Sequence, residues 1–532
     1  MACIAQASID EGSYGEFGCD AATPGATNAI RDSSDDLETG TAFIRNRRKV
    51  FVRRAASTLA AKARSYDDVA CSILADSFGR LGQICVPDKG DACTVRSRVP
   101  ANICALRLLK EAYSPRNANA VPANARAIMI DKEFFKAGHP PTLVSAFFYF
   151  DMSFMVWVIL GPLGVQIAND LHLDAGQKGL MVAIPLLSGA LLRVVNGILV
   201  DRIGPKRTGL IGQAIVILGL ISSWYFGVHS FGQVLALGVV LGVAGSSFAV
   251  ALPLASRWYP PQYQGIALGI AGAGNSGTVL AALFAPGLAL AFGWINVLGL
   301  AVIPLTIALL VYIVFAKDAP NPPGAKGLIE YLSVLSIGDA WWFMFFYAVT
   351  FGGFSGLASS LTIYFNADYG LSPVVAGYFT AAAVFAGSLV RPVGGALADR
   401  VGGIRALSIM YIVAAIALAL ASFHLPQAWM ALLLFIAGML ALGMGNGAVF
   451  QLVPQRFRNE IGVMTGIVGM TGGIGGFYLA SSLGYSKQLT GSYQFGLLIF
   501  AVLAGVAVVG LTTIKRRWRT TWGAVGVSAA RI

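Results

Sequence analysis

The amino-acid sequence predicts an all-α membrane protein with twelve transmembrane helices in two six-helix pseudo-repeats. The first observation is composition. Of the 532 residues, 56% are hydrophobic and only 12% are charged, whereas a soluble domain carries about 25% charged residues. The second is a series of apolar runs, each long enough to cross a bilayer, that begins at residue 143. The third is a motif that returns 198 residues later, in the second half of the chain.

The apolar runs give the number of predicted helices, because one crossing takes roughly 20 residues in helical conformation. A polar stretch near the middle of the runs divides them six and six. The predicted spans are 143–169, 177–200, 207–227, 231–256, 264–289, 293–315, 341–365, 373–398, 405–424, 428–453, 462–483 and 494–514. The predicted organisation is therefore an N-terminal half (139–315), a central cytoplasmic loop (316–340), a C-terminal half (341–515) and a basic cytoplasmic tail (516–532).

The positive charge follows the predicted membrane topology. The net charge is +12, but most Lys and Arg after residue 138 lie in short loops on one side, and only Lys178 and Lys487 lie on the other. By the positive-inside rule, both termini are expected in the cytoplasm of a multi-pass protein of the cytoplasmic (inner or plasma) membrane. The residues from Lys515 to Arg519 are expected to meet anionic lipid headgroups rather than nucleic acid.

The first 138 residues differ from the rest of the chain. "RDSSDDLETG" is acidic, "RNRRKVFVRR" is basic and "NANAVPANARA" is low in complexity. No apolar core is long enough for a secretory signal, and the acidic residues argue against a transit peptide. We expect an extension (1–138) that is disordered or lies upstream of the true start, for which Met129 is a candidate. The alternative is a folded regulatory domain.

Nothing in the sequence indicates catalysis. All six Cys lie within the extension, and the four His (His139, His172, His229 and His424) have no metal-ligand spacing. We see neither a Ser-His-Asp arrangement nor a phosphate-binding loop. We therefore predict no enzymatic activity, no metal site and no cofactor.

A repeated motif relates the two halves. "LLRVVNGILVDRIGPKR" begins at residue 191, and "LVRPVGGALADRVGG" begins at residue 389. Asp174 and Ser372, at the same offset, are both expected to cap the helices that carry these motifs. Two similar six-helix halves imply alternating access, with a substrate site at their interface near the bilayer midplane. The repeated motif residues are Arg193, Gly197, Asp201 and Arg202, which recur as Arg391, Gly395, Asp399 and Arg400.

Only three charged residues lie well inside the predicted spans, away from their ends: Asp151, Arg193 and Arg391. A charge at the bilayer centre costs roughly 3 kcal/mol, and such residues face the protein interior. Each arginine precedes the aspartate of its motif by eight residues, which places it about 12 Å inside the boundary at 1.5 Å per residue. Since one aspartate neutralises at most one arginine, we expect a positive site that binds an anion. The alternative is that both arginines tie helices together through backbone carbonyl groups.

The motif identifies a family resemblance. "GILVDRIGPKR" resembles the loop motif between helices 2 and 3 of the major facilitator superfamily, which implies the major facilitator fold. The resemblance implies that Gly197 and its counterpart Gly395 allow close contact between helices. Asp201 and Arg202, with the counterparts Asp399 and Arg400, can latch the cytoplasmic helix ends.

A second resemblance is more specific. "GIAGAGNSGTVLAALFAPG" (269–287) and "GIVGMTGGIGGFYLA" (466–480) look like the paired signature segments of the nitrate/nitrite porter family. The resemblance implies that Arg193 and Arg391 grip the anion and that Asn275 is a polar signature residue. It also implies that aromatic side chains sandwich the anion; these are Phe248, Tyr347 and Phe351. A planar guanidinium suits a flat oxyanion bidentately, as lysine does not.

Other residues of the predicted site have open alternatives. Gly269, Gly272 and Gly473 are expected first to be packing residues, although glycines also let helices slide or bring backbone near a substrate. Asn275 is either a substrate contact or an interhelical hydrogen bond. Asp151 lies about as deep as Arg193 by the same rise per residue, so we expect the two to be able to pair. Asp151 is thus either a proton-coupling residue or part of a permanent ion pair.

The function that these resemblances imply is secondary transport of nitrate, nitrite or both, as a monomer. Proton-coupled nitrate uptake for nitrate assimilation and exchange of nitrate for nitrite both remain open. A porter for another small anion is one alternative. A nitrate sensor that signals through residues 1–138 is another.

We predict that a protein beginning at Met129 inserts and transports as the full chain does, because no predicted span precedes it. Uptake by the truncated and full-length proteins, normalised to the amount of inserted protein, tests this. A truncated protein that inserts well but does not transport would show that the extension matters.

Overall fold

Helices make up all the regular structure of the described part of the chain. The computed structural model describes residues 132–320, 328–457 and 461–521. Three short helices, Lys132–Ala137, Gly164–Asp170 and Leu328–Val334, accompany twelve longer ones. The longer helices are α1 (Pro140–Trp157), α2 (Ala175–Ile203), α3 (Pro205–Phe226), α4 (Phe231–Ser256), α5 (Ile266–Phe292), α6 (Trp294–Phe315), α7 (Gly338–Tyr369), α8 (Pro373–Val401), α9 (Gly403–Ala421), α10 (Ala428–Arg456), α11 (Gly462–Thr490) and α12 (Gln494–Thr521).

Eleven of these helices, α2 to α12, are long and apolar enough to cross a membrane. The exception is α1. The prediction of one helix over 143–169 is therefore wrong, because this stretch is not one continuous helix. The helix α1 ends at Trp157, and a short helix resumes only at Gly164. The sequence between them contains Gly161 and Pro162, and proline removes a backbone donor. A Cβ on Gly161 would also collide with the backbone of Ser359 in α7, so the chain bends where two backbones meet.

The helix ends confirm the repeat. Asp174 caps α2 by accepting from the backbone N–H of Gln177 at 2.8 Å, and Ser372 caps α8 by accepting from that of Val375 at 3.4 Å. The loops that follow α2 and α8 both turn at a glycine with positive φ, 87° at Gly204 and 96° at Gly402. We call the end of the bundle that holds these two glycines the motif end, and the other the far end.

The domain boundaries differ from the predicted ones. The helix Lys132–Ala137 falls in the predicted extension, yet its buried Phe134 stacks on Tyr259 at 4.6 Å. The predicted central loop contains the helix Leu328–Val334, and α12 continues to Thr521, into the predicted tail. Residues 1–131 and 522–532, and thus most of the extension and the end of the tail, lie outside the described residues.

The two halves meet most closely at the far end. A Cβ on Gly179 of α2 would lie 2.7 Å from the Cα of Gly484 in α11. A Cβ on Gly377 of α8 would lie 2.6 Å from the carbonyl oxygen of Ala282 in α5. Such approaches need glycine, and small residues are what membrane helices use for close packing. Near the motif end, in contrast, a Cβ on Gly269 of α5 would meet no atom within 4 Å.

Polar contacts at the motif end hold each half together. Asp201 at the end of α2 pairs with Arg257 after α4 at 2.5 Å. The counterpart Asp399 instead accepts from the Gln451 side chain of α10 at 3.0 Å. The predicted latch therefore forms within each half, and its basic partner is Arg257. Arg202 and its counterpart Arg400 are exposed.

We predict that Gly277→Ala destabilises the protein, because a Cβ there would overlap the backbone carbonyl oxygen of Asp151, where α5 crosses α1. Overpacking of this kind costs about 1–3 kcal/mol. The matched control is Gly287→Ala, ten residues further along α5, where a Cβ would meet nothing within 4 Å. The apparent melting temperatures of the two purified variants should differ clearly. Equal melting temperatures would mean that α5 and α1 adjust without cost.

Candidate anion-binding site

Arg193 and Arg391 come from opposite halves and face the same aromatic ring. Arg193 lies fully buried in α2, and Arg391 is the half-buried first residue after a break in α8 at Val390. Their guanidinium carbons lie 5.2 Å and 5.6 Å from the ring centre of Phe248. Distances of this size are typical of cation–π contacts. The structure therefore brings together the two arginines that the repeat predicts.

The breaks in the helices create this geometry. The helix α4 stops at Gly245 and restarts at Phe248. In the turn between, the backbone N–H of Ala249 donates to Ser246 at 3.0 Å, and the carbonyl oxygen of Gly245 accepts from Nε of Arg193 at 3.3 Å. A helix interruption thus turns a backbone carbonyl group towards a buried cation.

Arg193 makes one further bond, which joins the two halves. Its Nη1 donates to the carbonyl oxygen of Gly469 in α11. The alternative that the arginines tie helices through backbone carbonyl groups therefore describes part of what Arg193 does. Its Nη2 is buried and has no hydrogen-bond partner among the described residues.

Arg391 is also incompletely paired. Its Nη2 donates to the hydroxyl of Tyr347 at 3.3 Å, while its Nη1 is buried and has no partner in the described part of the chain. A buried charged donor without an acceptor is costly. Each half thus offers one guanidinium N–H group that an anion could satisfy.

The predicted aromatic residues enclose the arginines. Tyr347 and Phe351 stack on each other in α7, with ring centres 5.3 Å apart and planes inclined by 7°. The guanidinium carbon of Arg193 lies 4.9 Å from the centre of the Phe351 ring. With Phe248 on the other helix, these rings surround the cations with apolar faces.

Two further aromatic residues belong to the site and are missing from the sequence prediction. Trp157 lies 5.5 Å from the Arg193 guanidinium, and Phe450 lies 5.3 Å from that of Arg391. For Phe450 a signal exists, because the 198-residue offset maps Phe248 onto Asn446, one helical turn before Phe450. Trp157 lies at the end of α1, next to the break between α1 and the helix Gly164–Asp170. The continuous apolar run 143–169 gives no sign of this break.

Asn275 is buried in a short 3-10 segment, Ala273–Ser276, that interrupts α5. Its backbone carbonyl oxygen accepts from the Ser388 hydroxyl of α8 at 3.5 Å, and its side-chain oxygen has no donor among the described residues. No hydrogen bond joins it to either arginine. The hydrogen bond from Ser388 is interhelical and reaches α8 three residues before Arg391, but it is made by the backbone of Asn275, whose side chain keeps an oxygen without a donor in the described part of the chain.

The three signature glycines behave differently. Gly473 packs as expected, because a Cβ there would lie 2.7 Å from the Ala190 side chain in α2. Gly269 is not a packing residue in this conformation, because a Cβ there would meet no atom within 4 Å. Gly272 is not tightly packed either, and a Cβ there would meet only the Arg391 guanidinium, at 4.0 Å.

Asp151 does not pair with Arg193, which corrects the expected ion pair. Its Oδ1 accepts from the Ser276 hydroxyl of α5 at 2.6 Å. The reason is the close approach of α5 to α1, where a Cβ on Gly274 would lie 3.0 Å from the backbone nitrogen of Asp151. Arg193 points elsewhere, towards the carbonyl groups of α4 and α11.

Two matching helical halves with a buried cationic site between them define a membrane transport protein. Residues 143–480 match the family model described as Major Facilitator Superfamily. The chain belongs to this superfamily and, within it, to the nitrate/nitrite porter family.

Curated relatives support this placement. The "Probable nitrate/nitrite transporter NarK2" of Mycobacterium tuberculosis (strain ATCC 25618 / H37Rv) is 35% identical over 379 residues, which cover 70% of this chain and 95% of the relative. The "Nitrite extrusion protein" of Bacillus subtilis (strain 168) is 31% identical over 363 residues, or 68% and 90%. The "Probable nitrate/nitrite antiporter NarK1" of Thermus thermophilus is 30% identical over 404 residues, or 69% and 90%.

We predict that Gly472→Ala disrupts the site, because a Cβ there would lie 2.8 Å from the Tyr347 ring and 2.9 Å from that of Phe351. Overpacking by about 1–3 kcal/mol should lower anion affinity. The control is Gly462→Ala on the same helix, where a Cβ would meet nothing within 4 Å. Anion binding to the purified variants, followed by tryptophan fluorescence, distinguishes them. An unchanged affinity in Gly472→Ala would mean that the stacked pair can move away without loss.

Proposed function

We propose that this protein is a secondary transporter that moves nitrate, nitrite or both across the cytoplasmic membrane by alternating access. The observation that carries the proposal is the pair Arg193 and Arg391. Each comes from a different half, each contacts Phe248, and each has a buried N–H group without an acceptor. An anion between them would satisfy both groups and offset part of their charge.

The surroundings of the arginines favour a small, flat anion. Nitrate and nitrite are planar with delocalised charge, so their faces can pack on aromatic rings while their oxygens accept from guanidinium forks. Phe248 on one side and the stacked Tyr347 and Phe351 on the other leave apolar faces next to both cations. A tetrahedral anion would need more room and additional donors. The names of the curated relatives also support nitrate and nitrite as the substrates.

The positions of the halves support alternating access. The motif end carries most of the loop Lys and Arg, so we assign it to the cytoplasm, together with both termini. The far end is closed by contacts such as that of Gly179 with Gly484, whereas Gly269 near the motif end faces open space. We therefore infer that the described conformation is closed to the outside and loosened towards the cytoplasm.

We predict that Arg193→Lys and Arg391→Lys each abolish most nitrate transport, because lysine lacks the planar fork. Losing one charge-assisted hydrogen bond costs about 1.5–3 kcal/mol, which is roughly ten- to hundredfold in affinity. The controls are Arg207→Lys and Arg405→Lys, which also stand at the 198-residue offset and are exposed at the motif end.

The measurement is exchange of labelled nitrate in liposomes that contain correctly folded protein. Competition by nitrite, formate and sulfate identifies the preferred anion. Exchange at the wild-type rate in either site variant would remove that arginine from the site. Transport of formate but not of nitrate would establish a porter for another small anion.

A further inference from the structure

We propose that Asp151 binds a co-transported proton and that it acts on the anion site through Ser276 and the break in α5 rather than through Arg193. The inference rests on the proposed transport function and adds a coupling site to it. It would make the transporter a proton symporter.

Asp151 has no cationic partner in the described part of the chain. It is only 7% exposed, and its Oδ1 accepts from the Ser276 hydroxyl at 2.6 Å. Two ionisable groups on the elements around α1 are bound elsewhere. Arg257 after α4 pairs with Asp201, and Tyr312 of α6 donates to the carbonyl oxygen of Pro205 at 3.0 Å.

Arg193 of α2 does not pair with Asp151 either, because it donates to carbonyl groups. A charged side chain at membrane depth is costly and marks a functional pathway more often than a structural one. Uptake of one proton by Asp151 removes its charge without any other group having to move far.

The Ser276 hydroxyl can change its hydrogen-bond acceptor when Asp151 is protonated. Its oxygen lies 2.6 Å from Oδ1 of Asp151 and 2.9 Å from the carbonyl oxygen of Ala273. A serine hydroxyl has a single proton, so it donates to one acceptor at a time. While Asp151 is ionised, the hydroxyl donates to the carboxylate. Once a proton from water has bound to Oδ1, the carboxyl group donates to Ser276, and the hydroxyl turns to Ala273. Ala273 is the first residue of the 3-10 segment, so protonation changes the bonding of the break itself.

The break carries the change to the other half of the protein. The carbonyl oxygen of Asn275, next to Ser276, is 3.5 Å from the Ser388 hydroxyl of α8. That hydroxyl also has a second acceptor, Val384 in its own helix, at 2.8 Å. It therefore either joins the two halves or bonds within α8. Ser388 lies just before the break at which Arg391 begins, and on the same side Gly272 faces the Arg391 guanidinium.

The residues of this arrangement are not fully enclosed on the side of the motif end. Ser276 and Ala273 are half-buried, and Gly269, one turn earlier, faces open space. If the conformation is loosened towards the cytoplasm, as inferred above, the proton site and the anion site open towards the same side. That common access is what a symport cycle needs.

The test uses the full-length protein in liposomes and compares two assays. The first is exchange of nitrate for nitrite at equal pH. The second is nitrate accumulation driven by a pH gradient, with the membrane potential clamped and proton entry followed by a trapped pH-sensitive dye. Asp151→Asn keeps the acceptor for Ser276 but cannot bind the proton. We expect it to retain exchange, to lose accumulation, and to lose the proton entry that nitrate evokes in the wild type.

Two serine variants test the relay. Ser276→Ala and Ser388→Ala should keep exchange but accumulate less nitrate for the same pH gradient. The control is Ser408→Ala in α9, whose hydroxyl donates only within its own helix, to Ile404 at 2.8 Å. If Asp151→Asn does not fold, Ser276→Ala decides, and wild-type accumulation in that variant would overturn the relay.

The outcomes separate this inference from the proposed function. Proton-driven accumulation by Asp151→Asn would overturn Asp151 as the coupling site. A wild type that exchanges nitrate for nitrite but gains nothing from a pH gradient would also overturn it, and would leave the proposed function standing. A wild type that exchanges neither anion would overturn the proposed function instead.

Discussion

The rest of the structure depends on two guanidinium groups of like charge, one buried and one half-buried, at the interface of two helical halves. Removing such charges from water is expensive, and the expense is reduced only by well-placed partners. Arg193 and Arg391 have no carboxylate partner in the described part of the chain. Their partial compensation comes from backbone carbonyl groups, a tyrosine hydroxyl and aromatic faces. An incomplete set of partners leaves donors for an anion, and an anion is then the group that completes the balance of charge.

Helix breaks supply these partners. An unbroken helix uses its carbonyl groups internally, and it offers none to a neighbouring cation. The turn after Gly245 turns a carbonyl group towards Arg193. The break at Val390 places Arg391 at the start of a new segment, and the 3-10 segment around Asn275 offers its carbonyl oxygen to α8. Non-helical backbone at membrane depth is tolerated only where it is buried in protein or lines a cavity, and here it surrounds the site.

Glycine makes the close contacts between the helices possible, and it does so unevenly. At the far end, pairs such as Gly179 and Gly484 bring backbones together across the two halves. At the motif end, Gly269 has no close neighbour. Between the two halves, glycines thus form tight contacts at the far end, whereas Gly269 at the motif end forms none with the described residues. A protein that must open alternately to two sides needs surfaces that fit in one conformation and part in the other, and glycine surfaces satisfy both.

The sequence by itself determined the features that are local or periodic. The caps at Asp174 and Ser372, the positions of α2 to α12, the repeat, and the depth of Arg193 and Arg391 follow from hydrophobic runs and helical rise. Which side chains contact each other does not follow from the sequence in this way. It depends on which face each helix turns to its neighbours and on how closely the helices approach. Only the tertiary structure decided that Asp151 bonds to Ser276, that Gly269 stands free and that Phe450 and Trp157 join the site. Residues at equal depth on neighbouring helices can point in different directions, and linear spacing does not record that angle.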